Sequence, residues 1–191
     1  GSAGSTTVDA APPPPEEEHE GSYLTPVATG RFVWTANPDR GRVALVDAFT
    51  LDISVVEAGF GPTHLAALSD PDDPSSNAAI VLNVLSHDAT LFRAAENGSV
   101  VQVTLETHEG ANSWAISTTG KWAIAWSDAA SVKNVDPTDG MQDVTVISLA
   151  PGKESATRLT VGYRPTRIAF DSAETGAFAV TGPGNRVNGL R

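Results

Sequence analysis

Few residues in this sequence could carry chemistry, and they are scattered. His64 opens an apolar run, and its ring nitrogen could serve as a general base or a metal ligand. A metal needs several such donors, and His87 and His108 do not sit at matching offsets. Asp70, Asp72 and Asp73 crowd the stretch Asp70-Pro71-Asp72-Asp73-Pro74-Ser75-Ser76-Asn77. Carboxylates at that density suit Ca²⁺, which takes hard oxygen ligands. The spacing matches no EF-hand loop, however, and a solvated acidic loop has the same composition. No other cofactor is expected.

Trp34, Trp114, Trp122 and Trp126 offer either a binding surface or inter-strand packing. Trp114 is the aromatic candidate for binding, whereas Trp34 and Trp126 fall in corresponding strands. The segment DAASVKNVDPTDG, Asp128 to Gly140, is rich in polar and turn residues. Long loops on rigid scaffolds often carry recognition, so Asp128, Asn134 and Asp136 join the candidates, as do Arg164 and Arg167. Asn97-Gly98-Ser99 satisfies a glycosylation sequon, but Asn-Gly is also the favoured two-residue hairpin turn. A phosphate-binding loop, a Gly-x-Ser-x-Gly elbow and a His-Glu-x-x-His helix are all missing. No catalytic residue is therefore named.

The elements that must hold these residues are strands. Seventeen Gly and 13 Pro in 191 residues interrupt every stretch long enough for a helix, and β-branched residues fill the gaps. With 23 acidic against 12 basic residues the net charge is −11, which repels a phosphate backbone and excludes nucleic acid as a partner. There is no cysteine, so disulfides and thiolate metal sites are out. No apolar run approaches the roughly 20 residues of a membrane span. Residues 1–22, with four consecutive prolines and an acidic run, read as a disordered tether or linker.

A phrase recurs three times: Gly59-Phe60-Gly61-Pro62, Gly110-Ala111-Asn112-Ser113 and Gly162-Tyr163-Arg164-Pro165. The leading glycines lie 51 and 52 positions apart (59 to 110, 110 to 162). Between them the same order of apolar runs repeats, four to a unit. Four short strands per unit of about 50 residues define a propeller blade.

The best-formed unit, Phe32-Val33-Trp34-Thr35-Ala36-Asn37 followed by Arg42-Val43-Ala44-Leu45-Val46-Asp47, resembles the YVTN β-propeller repeat of surface-layer proteins, with Gly59 to Leu65 close to its linking phrase. The later units are looser. The expectation is an all-β propeller of four-stranded blades, about three and a half in this chain: 23–58, 59–109, 110–161 and a partial 162–191. Such a stack leaves apolar faces open, so further chain or a second copy is expected to complete the ring.

The resemblance implies an exported protein, periplasmic, outer-membrane-tethered or extracellular. Separately, the small-residue start and Pro-rich run resemble the region after the lipidated cysteine of bacterial lipoproteins, which leaves room for a lipid anchor upstream of Gly1. The leading expectation is a non-enzymatic scaffold engaging a protein partner. The alternatives it carries are a propeller enzyme, either lactonase-like or fused to a di-haem domain, and a structural subunit of an extracellular assembly.

Overall fold

The computed structural model describes residues 22–70, 73–182 and 186–190. The expected tether at residues 1–22 lies, but for its last residue, outside them. Fifteen strands form four antiparallel meanders in chain order. Blade 1 contains β1 (Val27–Ala28), β2 (Phe32–Asn37), β3 (Arg42–Asp47) and β4 (Ile53–Glu57). Blade 2 contains β5 (Pro62–Asp70), β6 (Asp73–Asn83), β7 (Asp88–Ala94) and β8 (Val100–Glu106). Blade 3 contains β9 (Ser113–Ile116), β10 (Trp122–Trp126), β11 (Asp143–Ser148) and β12 (Ser155–Thr160). Blade 4 has three strands among the described residues, β13 (Pro165–Phe170), β14 (Ala177–Thr181) and β15 (Arg186–Leu190).

Each recurring phrase delivers the chain into a blade's first strand, since β5, β9 and β13 begin at Pro62, Ser113 and Pro165. Asn97-Gly98 lies in the turn between β7 and β8, but that turn is a three-residue loop closed by Ala95 N–H donating to Ser99 O (2.9 Å). Only Gly98 of the two is at positive φ (+80°), a conformation glycine adopts without a Cβ penalty. The acidic stretch needs correction. Residues 73–77 are not loop, because β6 begins at Asp73 and pairs back to Asp70. Packing explains the extension: the Asn77 side-chain oxygen accepts from the backbone N–H of Arg31 at 2.8 Å, docking the long hairpin on blade 1.

Alternation along the strands gives every sheet two apolar faces, and these stack radially. Between blades 1 and 2, Phe32, Trp34 and Leu45 meet Val81 and Phe92. Trp34 is fully buried, edge-on to Phe32 (ring centroids 6.4 Å apart) and near-parallel to Phe92 (6.0 Å). Ile80, Leu91 and Leu105 of blade 2 pack on Ala123, Ile147 and Leu149 of blade 3. Ile124, Trp126 and Val144 of blade 3 pack on Ile168, Ala177 and Ala179. Trp34 and Trp126 thus do the same job two interfaces apart. Ala79, Ala123 and Ala177 each lie four residues before a polar strand-end residue, Asn83, Ser127 and Thr181, and all three are buried.

Among the described residues no strand covers the end faces of the stack. Blade 1 turns outward Ile53 and Val55, in register with Val46 and Ala44. Blade 4 turns outward Phe178 and Val187, together with Arg167 on β13. This is four blades of a partial β-propeller.

Candidate functional site

In a meander the turns after the second and fourth strands emerge at one end of the sheet, and the others at the opposite end. The first set forms a rim, where the ladder between the third and fourth strands of each of the first three blades runs one step further. Ala58 N–H donates to Gly41 O (2.8 Å), Thr107 N–H to His87 O (2.8 Å) and Val161 N–H to Gln142 O (2.9 Å). The 128–140 insertion rises from this rim between β10 and β11.

The insertion is folded through local hydrogen bonds. Asp128 caps a single 3-10 turn (Ala129–Ser131), accepting from Ala130 N–H at 3.0 Å and Ser131 Oγ at 2.9 Å. Its backbone N–H donates to Asn112 Oδ1 (2.7 Å), and its carbonyl accepts from Asn112 Nδ2 (3.1 Å). The Asp136 carboxylate accepts from both the N–H and the hydroxyl of Thr138, which holds its pKa below the ordinary carboxylate value. Asn134, at φ +60°, supplies a left-handed bend that asparagine tolerates well.

Blade 4 clamps this loop. The Arg164 guanidinium donates to Asp136 O (2.7 Å) and Asp139 O (3.3 Å), and its backbone N–H donates to Gly140 O (2.8 Å). Tyr163 Oη donates to Pro137 O (3.0 Å), and the guanidinium sits 5.1 Å from its ring centroid. Arg164 is itself held at φ +48°. Of the sequence candidates, Asp128, Asn134, Asp136 and Arg164 are therefore brought together, chiefly to build the loop.

Beneath the loop lies a cavity of about 500 Å³ bounded by His108, Glu109, Ser127, Asp139, Met141 and Arg158. His108 is buried, and its ring reaches Thr145 Oγ1 (2.9 Å) through Nδ1 and Ser127 Oγ (3.2 Å) through Nε2. Burial pushes its pKa below the usual 6.5, with Asp143 working in the opposite direction. A hydroxyl, an imidazole and an orienting partner in line look like an activated nucleophile. The orienter here is another hydroxyl, however, and the corresponding positions of other blades hold base-free pairs. Asn83 donates to Thr90 (2.9 Å) in blade 2, and Asn188 to Thr181 (3.2 Å) in blade 4. The histidine is thus one version of a latch between second and third strands. Blade 1 has Asn37 and Ala44 at these positions, and Asn37 accepts from Arg40 N–H instead.

The remaining candidates lie apart. His64 is half-buried on β5, against Thr63 Oγ1 at 3.0 Å, with its pKa lowered by burial. Trp114 packs into the interface of blades 2 and 3. Arg167 is exposed on the open face of blade 4. The side chains of Asp70, Asp72 and Asp73 fall outside the described residues. Among those described, no three His, Asp or Glu side chains cluster as metal donors, and no helix is long and apolar enough to cross a membrane. His108, Glu109 and the Tyr163 clamp were missed as site residues in the sequence. Only the junction position of Tyr163 in the repeated phrase could have flagged it.

No family model and no curated protein matches this chain. Solved structures do. The Cps50 (Swd1) β-propeller domain of Myceliophteria thermophila superposes with a TM-score of 0.59 at 15% identity, covering 90% of this chain and 54% of that one. A candidate 6-phosphogluconolactonase from Bacteroides uniformis gives 0.58 at 15% identity, covering 96% and 55%. Kuenenia stuttgartiensis hydrazine synthase gives 0.55 at 15% identity, covering 93% and 49%. At such identity the likeness is one of fold: the chain has a β-propeller architecture. It spans about half the length of these structures.

Proposed function

We propose that the chain is an exported, surface-layer-type (YVTN) propeller scaffold that binds a protein partner through the rim bearing the 128–140 loop. One observation carries this reading. A polar loop without a hydrophobic core of its own is fixed by four hydrogen bonds from Tyr163 and Arg164 of the next blade. Holding such a loop in one shape costs conformational entropy that stacking the blades does not require, and a preformed loop lowers the cost of association. Location in the cell envelope and engagement of a protein belong to the same proposal.

The test replaces residues 129–140 by a four-residue turn with the sequence of Val84–His87, then compares cross-linking capture from envelope fractions. Loss of a specific captured protein with unchanged thermal stability supports the reading. Equal capture by both forms, or no capture alongside turnover of a lactone substrate, overturns it.

A further inference from the structure

Among the described residues the two most exposed apolar side chains on the rim are ones that stacking of the blades does not explain. Phe60 is 74% exposed and Leu85 70%. Both are held firmly. Phe60 O accepts from Leu85 N–H (3.0 Å), and Phe60 N–H donates to Ser86 Oγ (2.9 Å). Leu85 lies over Gly61, where a Cβ would come within 2.7 Å of Leu85 Cγ and the φ of +66° disfavours any side chain. With the backbone beneath them tied in this way, an aromatic and an aliphatic side chain stand exposed on the rim as a candidate binding anchor. Phe60 and Tyr163 each follow the leading glycine of their phrase, so both rise on this rim.

Charge along the rim is lopsided. Asp39, Glu109, Asp136 and Asp139 are exposed, against Arg40 and Lys133. Among the described residues the other rim arginines are engaged, Arg42 with Glu57, Arg158 with Asp143 and Arg164 with loop carbonyls. Glu109, Asp139 and Asp143 border the cavity beside His108. An acidic field beside an apolar anchor selects a partner with the complementary pattern.

We propose that this rim docks a protein segment that places an apolar side chain on Phe60 and Leu85 and turns flanking Lys or Arg side chains toward Glu109 and Asp139. The inference rests on the protein-binding reading and gives that partner its chemistry.

Two fluorescein-labelled peptides serve as probes, one alternating Lys with Leu and Phe, the other with Glu in place of Lys. Fluorescence anisotropy on the full chain is expected to show saturable, salt-weakened binding of the first and none of the second. Phe60→Ser and Leu85→Ser should each weaken it by about tenfold or more, and Glu109→Gln by a few-fold with a shallower salt dependence. Both apolar side chains are exposed, so unchanged melting confirms folding. Equal affinity for the two peptides, no binding, or indifference to Phe60→Ser overturns the proposal. So does self-association of the peptide-free chain that Phe60→Ser abolishes, which would give the rim to a second copy. An envelope partner still captured by Phe60→Ser sinks this inference alone. Phe60-dependent peptide binding without any captured partner sinks only the broader reading.

Discussion

Arg164 donates to the carbonyl oxygen of Asp136 at 2.7 Å, so the entry to blade 4 holds the longest loop of blade 3. Arg164→Ala removes both guanidinium bonds and leaves the backbone bond to Gly140. Hydrogen bonds from charged groups contribute about 1–3 kcal/mol before screening, and this loss falls on the loop. Amide exchange over 134–141 should rise by about tenfold, while the protection of β10 and β11 stays constant. Unaltered exchange in the loop would show that the clamp carries no load.

Trp34 fills the first blade interface. Trp34→Ala should cost about 3–5 kcal/mol in urea unfolding, the usual range for a large buried aromatic. Trp122, at 38% exposure two blades away, should cost less than half of that when replaced by alanine. Equal losses would contradict radial packing as the source of stability.

His108 sets a pH response. Its folded pKa lies below the ordinary 6.5, so the unfolded chain takes up the proton first as pH falls. The neutral ring's contribution is intact above about 6.5 and is lost as the pH drops below that value. Asp143 opposes this shift, whereas Arg158 and His87 reinforce it. His108→Gln should lower stability at pH 7 and flatten the slope between pH 7 and 5, read from melting temperatures across that range.

Asp47 is one of several carboxylates held below their ordinary pKa that shape the acid limb at lower pH. Arg31 holds its pKa down to about 2 through a paired hydrogen bond, aided by the N–H groups of Phe49 and Thr50. Stability from this carboxylate is present above 3.8 and disappears as pH falls toward about 2. Arg31→Met should raise the Asp47 pKa and move acid unfolding to higher pH, as followed by circular dichroism.

The open end faces should make the isolated chain associate. Ile53 and Val187 are 69% and 62% exposed on strands at opposite ends of the stack. Ile53→Lys combined with Val187→Lys should reduce the weight-average mass in light scattering without altering the strand signal.

The blades were legible in the sequence because their punctuation is periodic. Gly-x-x-Pro or Gly-x-x-Ser marks the first strands of blades 2, 3 and 4, and Trp34 and Trp126 repeat the same packing role. The latch was not legible, because Asn83–Thr90, Ser127–His108–Thr145 and Thr181–Asn188 solve one problem with different letters. The Arg164 clamp was hidden for another reason. Its acceptors are backbone carbonyls some 25 residues away, and any residue type could supply them. The extent of β6 was misjudged because Asp73, Pro74 and Ser75 have loop composition, and pairing with β5 and docking of Asn77 override it.

The three alanines at Ala79, Ala123 and Ala177 have a geometric consequence. Each lets the preceding blade lean close at one height of the sheet, so together they set how sharply the stack fans around its axis. Valine at any one of them would wedge two neighbours apart, and the curl would relax there while every strand kept its partners. The circumference this scaffold can join is thus written in the smallest side chains of its second strands.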